Sequence, residues 1–292
     1  TPHGFKSMTG HTTAEGTRRY RDRMIKAGLA AGNFRQGIGG LALSSIGLGT
    51  YLGGSDARTD SLYLESTKQA ILGGCNVLDT AINYRCQRSE RVIGQALHDL
   101  MQRGEIRRDE VLIATKGGYI PYDGTPPRDP DAYMQETFVM PGIMVSSDVV
   151  ADCHCLAPSY LRHQLDRSLE NLGLTCVDIY YLHNPEAQLD ALSSEQFLGR
   201  MRAAFEVLES AAAGGKLRLS LDAMGQTDGA APVFYYLTAT IVPVALGAQV
   251  KFNPTWGISG DVKFADGDTQ YFIGRFQRVG ADGVGGGAAP HA

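Results

Sequence analysis

Apolar residues fall along the chain in two alternating patterns, short continuous runs and helical stripes. Val77-Leu78-Asp79, Val111-Leu112-Ile113-Ala114-Thr115-Lys116, the segment Cys176 to His183 and the segment Lys216 to Leu221 read as strands. The run 111–116 is nearly all apolar, as a strand covered on both faces is. Upstream, Leu41 to Tyr51 reads as a hairpin-like entry followed by a first strand, with Gly47 and Gly49 allowing close backbone approach at its end. Helical stripes separate the runs. Ser61 to Ile71 is stopped by Gly73-Gly74. Ser89 is the expected cap of a helix with Val92, Ile93, Ala96, Leu97, Leu100 and Met101 on one face, ended by Gly104. A third stripe, from Ser159, places Leu161, Leu165, Leu169 and Leu172 inward before Gly173. A fourth, capped by Ser193-Ser194, carries Phe197, Met201, Phe205 and Leu208 up to Gly214-Gly215.

Strand then helix, repeated, predicts parallel strands joined by crossover helices. With five such units and no Gly-x-Gly-x-x-Gly opening a helix, the fold class is α/β, a (β/α)8 TIM-type barrel rather than an open dinucleotide-binding sheet. The expected organisation is an N-terminal extension at 1–37 and a single barrel domain at 38–292. The extension is rich in basic residues (Arg18, Arg19, Arg21, Arg23, Lys26) and reads as a solvated segment packing on the domain. Residues 117–158 break the rhythm with Pro121, Pro126, Pro127, Pro130 and Pro141, and read as an unstructured functional loop or lid. Gln249 to Pro254 fits a sixth strand, and 262–273 reads as a hairpin turning on Asp266-Gly267. The chain after Pro254 is too short for the units still owed. The barrel is therefore expected to be divergent or incomplete after the fifth or sixth strand, across 219–292, with 283–292 disordered.

Composition narrows the class of protein. The chain has 292 residues, 43% hydrophobic and 20% charged, the balance of a soluble globular protein. A net charge of −4 and a pI near 6.0 argue against nucleic acid or an anionic membrane as partner. No apolar run reaches the ~18–20 residues a membrane span needs, and the polar start TPHGFKSMTG lacks a signal-peptide core. Five cysteines, at 75, 86, 153, 155 and 176, form no disulfide pattern and indicate a reducing, cytoplasmic setting. Cys153-His154-Cys155 crowds metal-ligating types into consecutive positions, whereas metal sites space them by two or more; no metal is assigned. The sequence is silent on oligomeric state.

In such barrels chemistry sits at the C-terminal strand ends. Asp79, Lys116 and His183 fall there, and Tyr84 follows Asp79 by five residues on the next loop. A free tyrosine titrates near ~10, too high for a ready proton donor, but a lysine ammonium beside it favours the phenolate. A carboxylate holds that lysine charged, and a histidine orients a carbonyl oxygen. Together the four polarise a carbonyl and protonate its oxygen as hydride reaches its carbon. The hydride has to come from a cofactor.

The chain resembles the aldo-keto reductase family over about residues 40–218. The matching blocks are IGLGTY (46–51), NVLDTAINY (76–84), SERVIGQAL (89–97), VLIATKGG (111–118) and LRHQLDRSLENLGLTCVDIYYLHNPE (161–186), with GGKLR (214–218) leading to a fifth strand. The resemblance implies a (β/α)8 barrel, a small-molecule aldehyde or ketone reduced to an alcohol, and NADPH as hydride donor with NADH as the alternative. It implies Tyr84 as general acid, Lys116 lowering its pKa, Asp79 pairing with Lys116, and His183 orienting the carbonyl. Gly49, Thr50, Tyr51 and Asp79 would lie along the cofactor's nicotinamide end, and Gln249 matches a glutamine of the sixth strand. After the fifth strand, Leu221-Asp222-Ala223-Met224-Gly225 stands where the family has a Gly-Val-Ser-Asn type segment, and the phosphate-gripping loop has no counterpart in the sequence. That departure leaves a second reading open, a catalytically impaired barrel acting as a binding or structural module.

Overall fold

The computed structural model describes residues 4–219. Helix α1 (Ala14–Lys26) is capped by Thr13, whose hydroxyl accepts from the Gly16 amide. Strands β1 (Phe34–Gln36) and β2 (Ala42–Ser44) form an antiparallel pair, and β3 (Leu48–Gly49) follows. Then come α2 (Ala57–Leu72), β4 (Val77–Asp79), α3 (Arg88–Gln102), β5 (Leu112–Gly117), α4 (Pro130–Met134), β6 (Val149–Val150), β7 (His154–Cys155), α5 (Pro158–Leu172), β8 (Val177–Leu182), α6 (Ser194–Ala213) and β9 (Leu217–Leu219). Strands β3, β4, β5, β8 and β9 make one sheet in that order, every pair parallel. Each expected strand of the repeat is present, and the order never reverses. All five C-terminal ends therefore open on the same side.

Two families of contacts hold this frame. Leu78, Ile93, Leu97, Ile113, Leu161, Leu165, Leu172, Val177, Tyr180 and Leu208 share one core between sheet and helices. Helices α3 and α5 cross so closely that a Cβ on Gly94 would lie 2.6 Å from the carbonyl oxygen of Leu172. The N-terminal residues join the same core: Met8, Tyr20 and Met24 are buried in it. The basic residues of α1 are directed at acidic partners, with Arg19 on Asp109 and Glu110, and Arg23 on Glu110. Asn76 ties the antiparallel pair to β4. Its side chain accepts from the Ser44 amide at 2.8 Å and donates to the Ala42 carbonyl at 3.0 Å.

Three expectations are corrected. Helix α2 starts at Ala57, not Ser61, because Asp56 caps it through the Thr59 amide. Ser89 lies inside α3 and is not its cap. Arg85, Cys86 and Gln87 take left-handed backbone conformations (φ 49°, 56° and 68°), Gln87 becomes the cap position, and Ser89 Oγ donates to the Thr50 carbonyl at 2.7 Å. The segment 117–158 is structured: it holds α4, a π-turn at Gln135–Val139 and the β6–β7 ladder. Phe138, Met144, Cys155 and Tyr160 form a small core of its own. The segments assigned by sequence to a sixth strand, a hairpin and a disordered tail lie outside the described residues, as does Gln249.

Candidate active site

The sheet brings Asp79, Tyr84, Lys116 and His183 together at its C-terminal edge. β4 and β5 pair with Asp79 opposite Ala114, and β5 and β8 pair with Lys116 opposite Tyr181. This register sets the acid beside the lysine and places His183 one residue past the end of β8. Lys116 Nζ donates to Asp79 Oδ2 at 2.6 Å, to the Thr80 carbonyl at 2.9 Å and to Tyr84 Oη at 3.4 Å. It also lies 4.9 Å from the centre of the Tyr84 ring. The lysine is almost wholly buried (1% side-chain exposure), whereas Asp79 keeps 24%. The Tyr84 and His183 rings meet edge to face at 5.6 Å.

Tyr84 is delivered by the left-handed turn that follows it. Each such residue costs an L-amino acid about 1–2 kcal/mol, so the surroundings have to hold the turn. They do so through side chains. Arg85 Nε donates to the Gly54 carbonyl at 2.9 Å and its guanidinium pairs with Asp60. Gln87 donates to the Tyr122 carbonyl at 3.1 Å, and its oxygen accepts from Arg167 at 3.0 Å and Asn171 at 3.1 Å. Glu90, in the first turn of α3 and fully buried, accepts from Thr115 at 2.6 Å and Asn171 at 2.9 Å. That fixes β5 next to Lys116.

Burial dominates the electrostatics. It raises the Tyr84 phenol well above its ordinary value, and Asp79, Tyr51 and Tyr119 push the same way. The Lys116 ammonium at 3.4 Å favours the phenolate, but burial sets the net direction. The ammonium is 2.6 Å from the Asp79 carboxylate and 3.4 Å from the phenol. Burial likewise pushes the Asp79 carboxyl up, opposed by Lys116. His183 is held well below its ordinary value by burial, then by Lys116 and His154, so its ring is neutral near pH 7. Its Nδ1 lies 3.1 Å from the side-chain oxygen of Asn83.

Of the residues expected along a cofactor, Gly49 ends β3 and Thr50 is buried, its hydroxyl donating to Thr80 Oγ1 at 2.9 Å. Tyr51 is 52% exposed and meets the Tyr84 ring edge to face at 5.0 Å. Asn83, Glu90, Tyr119 and His154 went unassigned in the sequence reading. Tyr119 lies edge to face with both His183 (4.9 Å) and His154 (5.0 Å). The His154 ring turns to the His183 carbonyl and to Gln188. Among the described residues no cluster of His, Cys, Asp and Glu is arranged to hold a metal, and no helix is long and apolar enough to cross a membrane.

Comparison with known proteins adds a family to this geometry. A family model described as Aldo/keto reductase family matches residues 45–220, more than half of the chain. Prostaglandin F synthase 1 of Bos taurus is 26% identical over 140 residues, covering 48% of this chain and 31% of its own length. The NADH-specific methylglyoxal reductase of Escherichia coli (strain K12) is 28% identical over 151 residues, 49% of this chain and 39% of its own. An aldo/keto reductase from Klebsiella pneumoniae, solved in complex with NADP and acetate, superposes with a TM-score of 0.40 at 20% identity, over 64% of this chain and 47% of that one. The chain spans less than half the length of these proteins.

Proposed function

The chain belongs to the aldo/keto reductase family, and from that premise we propose that it reduces a small-molecule aldehyde or ketone to the alcohol, with NADPH as hydride donor and NADH as the alternative. The observation that carries the reading is Lys116 Nζ placed between Asp79 Oδ2 (2.6 Å) and Tyr84 Oη (3.4 Å) with the His183 ring against Tyr84.

Tyr84 is the general acid. A phenol raised above its ordinary value keeps its proton until a carbonyl oxygen beside it gains negative charge. The proton then passes from Tyr84 Oη to that oxygen, and the phenolate left behind faces the Lys116 ammonium. Asp79 holds Lys116 in place during this change. Asn83 Oδ1 faces His183 Nδ1 at 3.1 Å; for His183 to act as a neutral hydrogen-bond donor through Nε2, that amide turns over so that its N–H meets Nδ1. Bulk water returns the proton to Tyr84 once the alcohol leaves.

These residues polarise and protonate, but none can reduce, so the set fits a bound hydride donor. When bound, the nicotinamide supplies the hydride that no side chain can. Gly49, Thr50, the exposed face of Tyr51 and Asp79 are the residues we assign to its reacting end, with Gln249 from beyond the described residues. The five-stranded parallel sheet is read as the first part of the family's (β/α)8 barrel. The Escherichia coli relative is NADH-specific by name, which keeps both nucleotides in play. Titration of the full chain with each nucleotide, followed by quenching of nicotinamide fluorescence, is the test. Saturable binding in the micromolar range is expected for at least one. Absence of binding for both would leave the non-catalytic reading in its place.

A further inference from the structure

We propose that His154, from the segment inserted between β5 and α5, is a positioning residue for His183, fixing its main chain through a hydrogen bond whose direction is set by Gln188 and Arg200. The inference deepens the carbonyl-reduction reading and rests on it.

Hydrogen-bonding capacity fixes the chain of contacts. His154 Nε2 lies 2.6 Å from the His183 carbonyl oxygen, which can only accept. Nε2 therefore carries the hydrogen. In the neutral ring Nδ1 is then an acceptor, and the Gln188 side-chain nitrogen lies 2.9 Å from it. That nitrogen also donates to the His154 carbonyl at 3.3 Å. Gln188 cannot turn its amide over without loss, because its oxygen accepts from Arg200 on α6 at 2.7 Å, and a guanidinium only donates. Arg200 is anchored in turn on the Asp148 carbonyl at 3.0 Å. One tautomer of His154 satisfies every member.

The surroundings keep the arrangement dry and tight. His154 and Gln188 are both fully buried. Gly118 lies beside the bond between the two histidines: a Cβ there would stand 2.8 Å from His154 Nε2 and 3.1 Å from the His183 carbonyl oxygen. The main chain is pinned on the same spot, with Cys155 N donating to Gly118 O at 2.8 Å and His183 N to Gly117 O at 2.8 Å. His183 thus has its amide held by β5 and its carbonyl held by the inserted segment, on both sides of the Cα that bears the ring.

The test compares His154→Leu, which removes the donor, with His154→Gln, whose side-chain N–H can replace Nε2–H. The expected result for His154→Leu is a kcat lower by roughly tenfold to a hundredfold, the scale of a small misplacement of a reacting group, with the nucleotide dissociation constant unchanged. His154→Gln should recover most of that loss. Equal kcat in wild type and His154→Leu would overturn the proposal, as would a His154→Gln protein no better than His154→Leu. Ring-nitrogen NMR of histidine-labelled protein gives a readout free of catalysis. The wild type should show His154 as the Nε2–H tautomer, and the His183 signals should move in His154→Leu and return in His154→Gln. If the wild type reduces no carbonyl while these shifts occur, the functional reading fails and the positioning stands. If His183 signals are the same in all three proteins, the positioning fails. Should His154→Leu not fold, Arg200→Met releases the Gln188 amide from the surface side. A wild-type tautomer and wild-type kcat in that variant would overturn the role given to Arg200 and Gln188.

Discussion

His154 and His183 are buried imidazoles whose pKa values are both pushed below the ordinary histidine value, chiefly by burial. Their folded forms therefore bind protons less readily than the unfolded chain does. The stability they contribute is complete above the unfolded value near ~6.5 and is lost as pH falls below it, by up to ~1.4 kcal/mol per pH unit for each ring. Glu90 is raised by burial and acts in the opposite sense at lower pH, so single-protein curves mix the two. Comparing wild type with His154→Gln removes that mixture. Between pH 7.5 and 5.5 the denaturation midpoint of the wild type should fall further than that of the variant. Parallel curves would show that His154 takes up its proton in the folded state.

At the same scale, Asp79, Tyr84, Lys116 and His183 were legible in the sequence because each is announced by its place at or just after an apolar run. The residues that hold them were not. Asn83 and His183, His154 and Gln188, and Glu90 and Asn171 meet across 100, 34 and 81 positions of sequence respectively. No local pattern marks such pairs. The direction of the Tyr84 shift was also out of reach, since it depends first on how deeply the phenol is buried and then on how near Asp79, Tyr51 and Tyr119 lie.

Elements were read well wherever a run or stripe was long, and less well where turn geometry decided. Ser89 looked like a cap by residue preference alone. The left-handed turn at 85–87 moved the cap to Gln87 and gave Ser89 to the Thr50 carbonyl. The inserted segment looked featureless because its elements are shorter than any periodicity window: α4 has five residues, β6 and β7 two each. Gly94 is an instructive case in the other direction. Inside an exposed helix Gly→Ala gains about 1 kcal/mol. Here the new Cβ would sit 2.6 Å from the Leu172 carbonyl oxygen, main chain that cannot swing aside. Gly94→Ala is therefore expected to destabilise the protein, by roughly 1–3 kcal/mol as overpacking does, measured as a lower midpoint in urea. A raised midpoint would mean that α3 and α5 separate easily.

Across the molecule, the order β3-β4-β5-β8-β9 followed from the strand–helix rhythm, and the parallel pairing with it. The packing of the N-terminal residues on the domain was legible too, but not the buried contacts they make, which their polar and basic composition concealed. Thr12 N donates to Asp178 Oδ1 at 2.7 Å, Ile113 N to Oδ2 at 2.8 Å, and Arg108 pairs with the same carboxylate at 2.8 Å. One buried acid on β8 thus joins the N-terminal segment, β5 and the loop before it. Removing one partner of a buried pair leaves the other charge without compensation and costs about 3–5 kcal/mol. Arg108→Met should lower the unfolding free energy on that scale, by chemical denaturation, and Arg108→Met with Asp178→Asn should recover part of it. A single variant within 1 kcal/mol of wild type would contradict the role given to this junction.

The central claim is that Tyr84 delivers a proton to a carbonyl oxygen while a bound nicotinamide reduces the carbon. Its most direct test is the rate of NADPH oxidation by the full chain with a nitrobenzaldehyde, for wild type and for Tyr84→Phe, with nucleotide binding measured on both. The account expects turnover by the wild type, a loss of about 10²–10⁴-fold in Tyr84→Phe, the range for a general acid, and unchanged nucleotide affinity. Equal rates in the two proteins would contradict it.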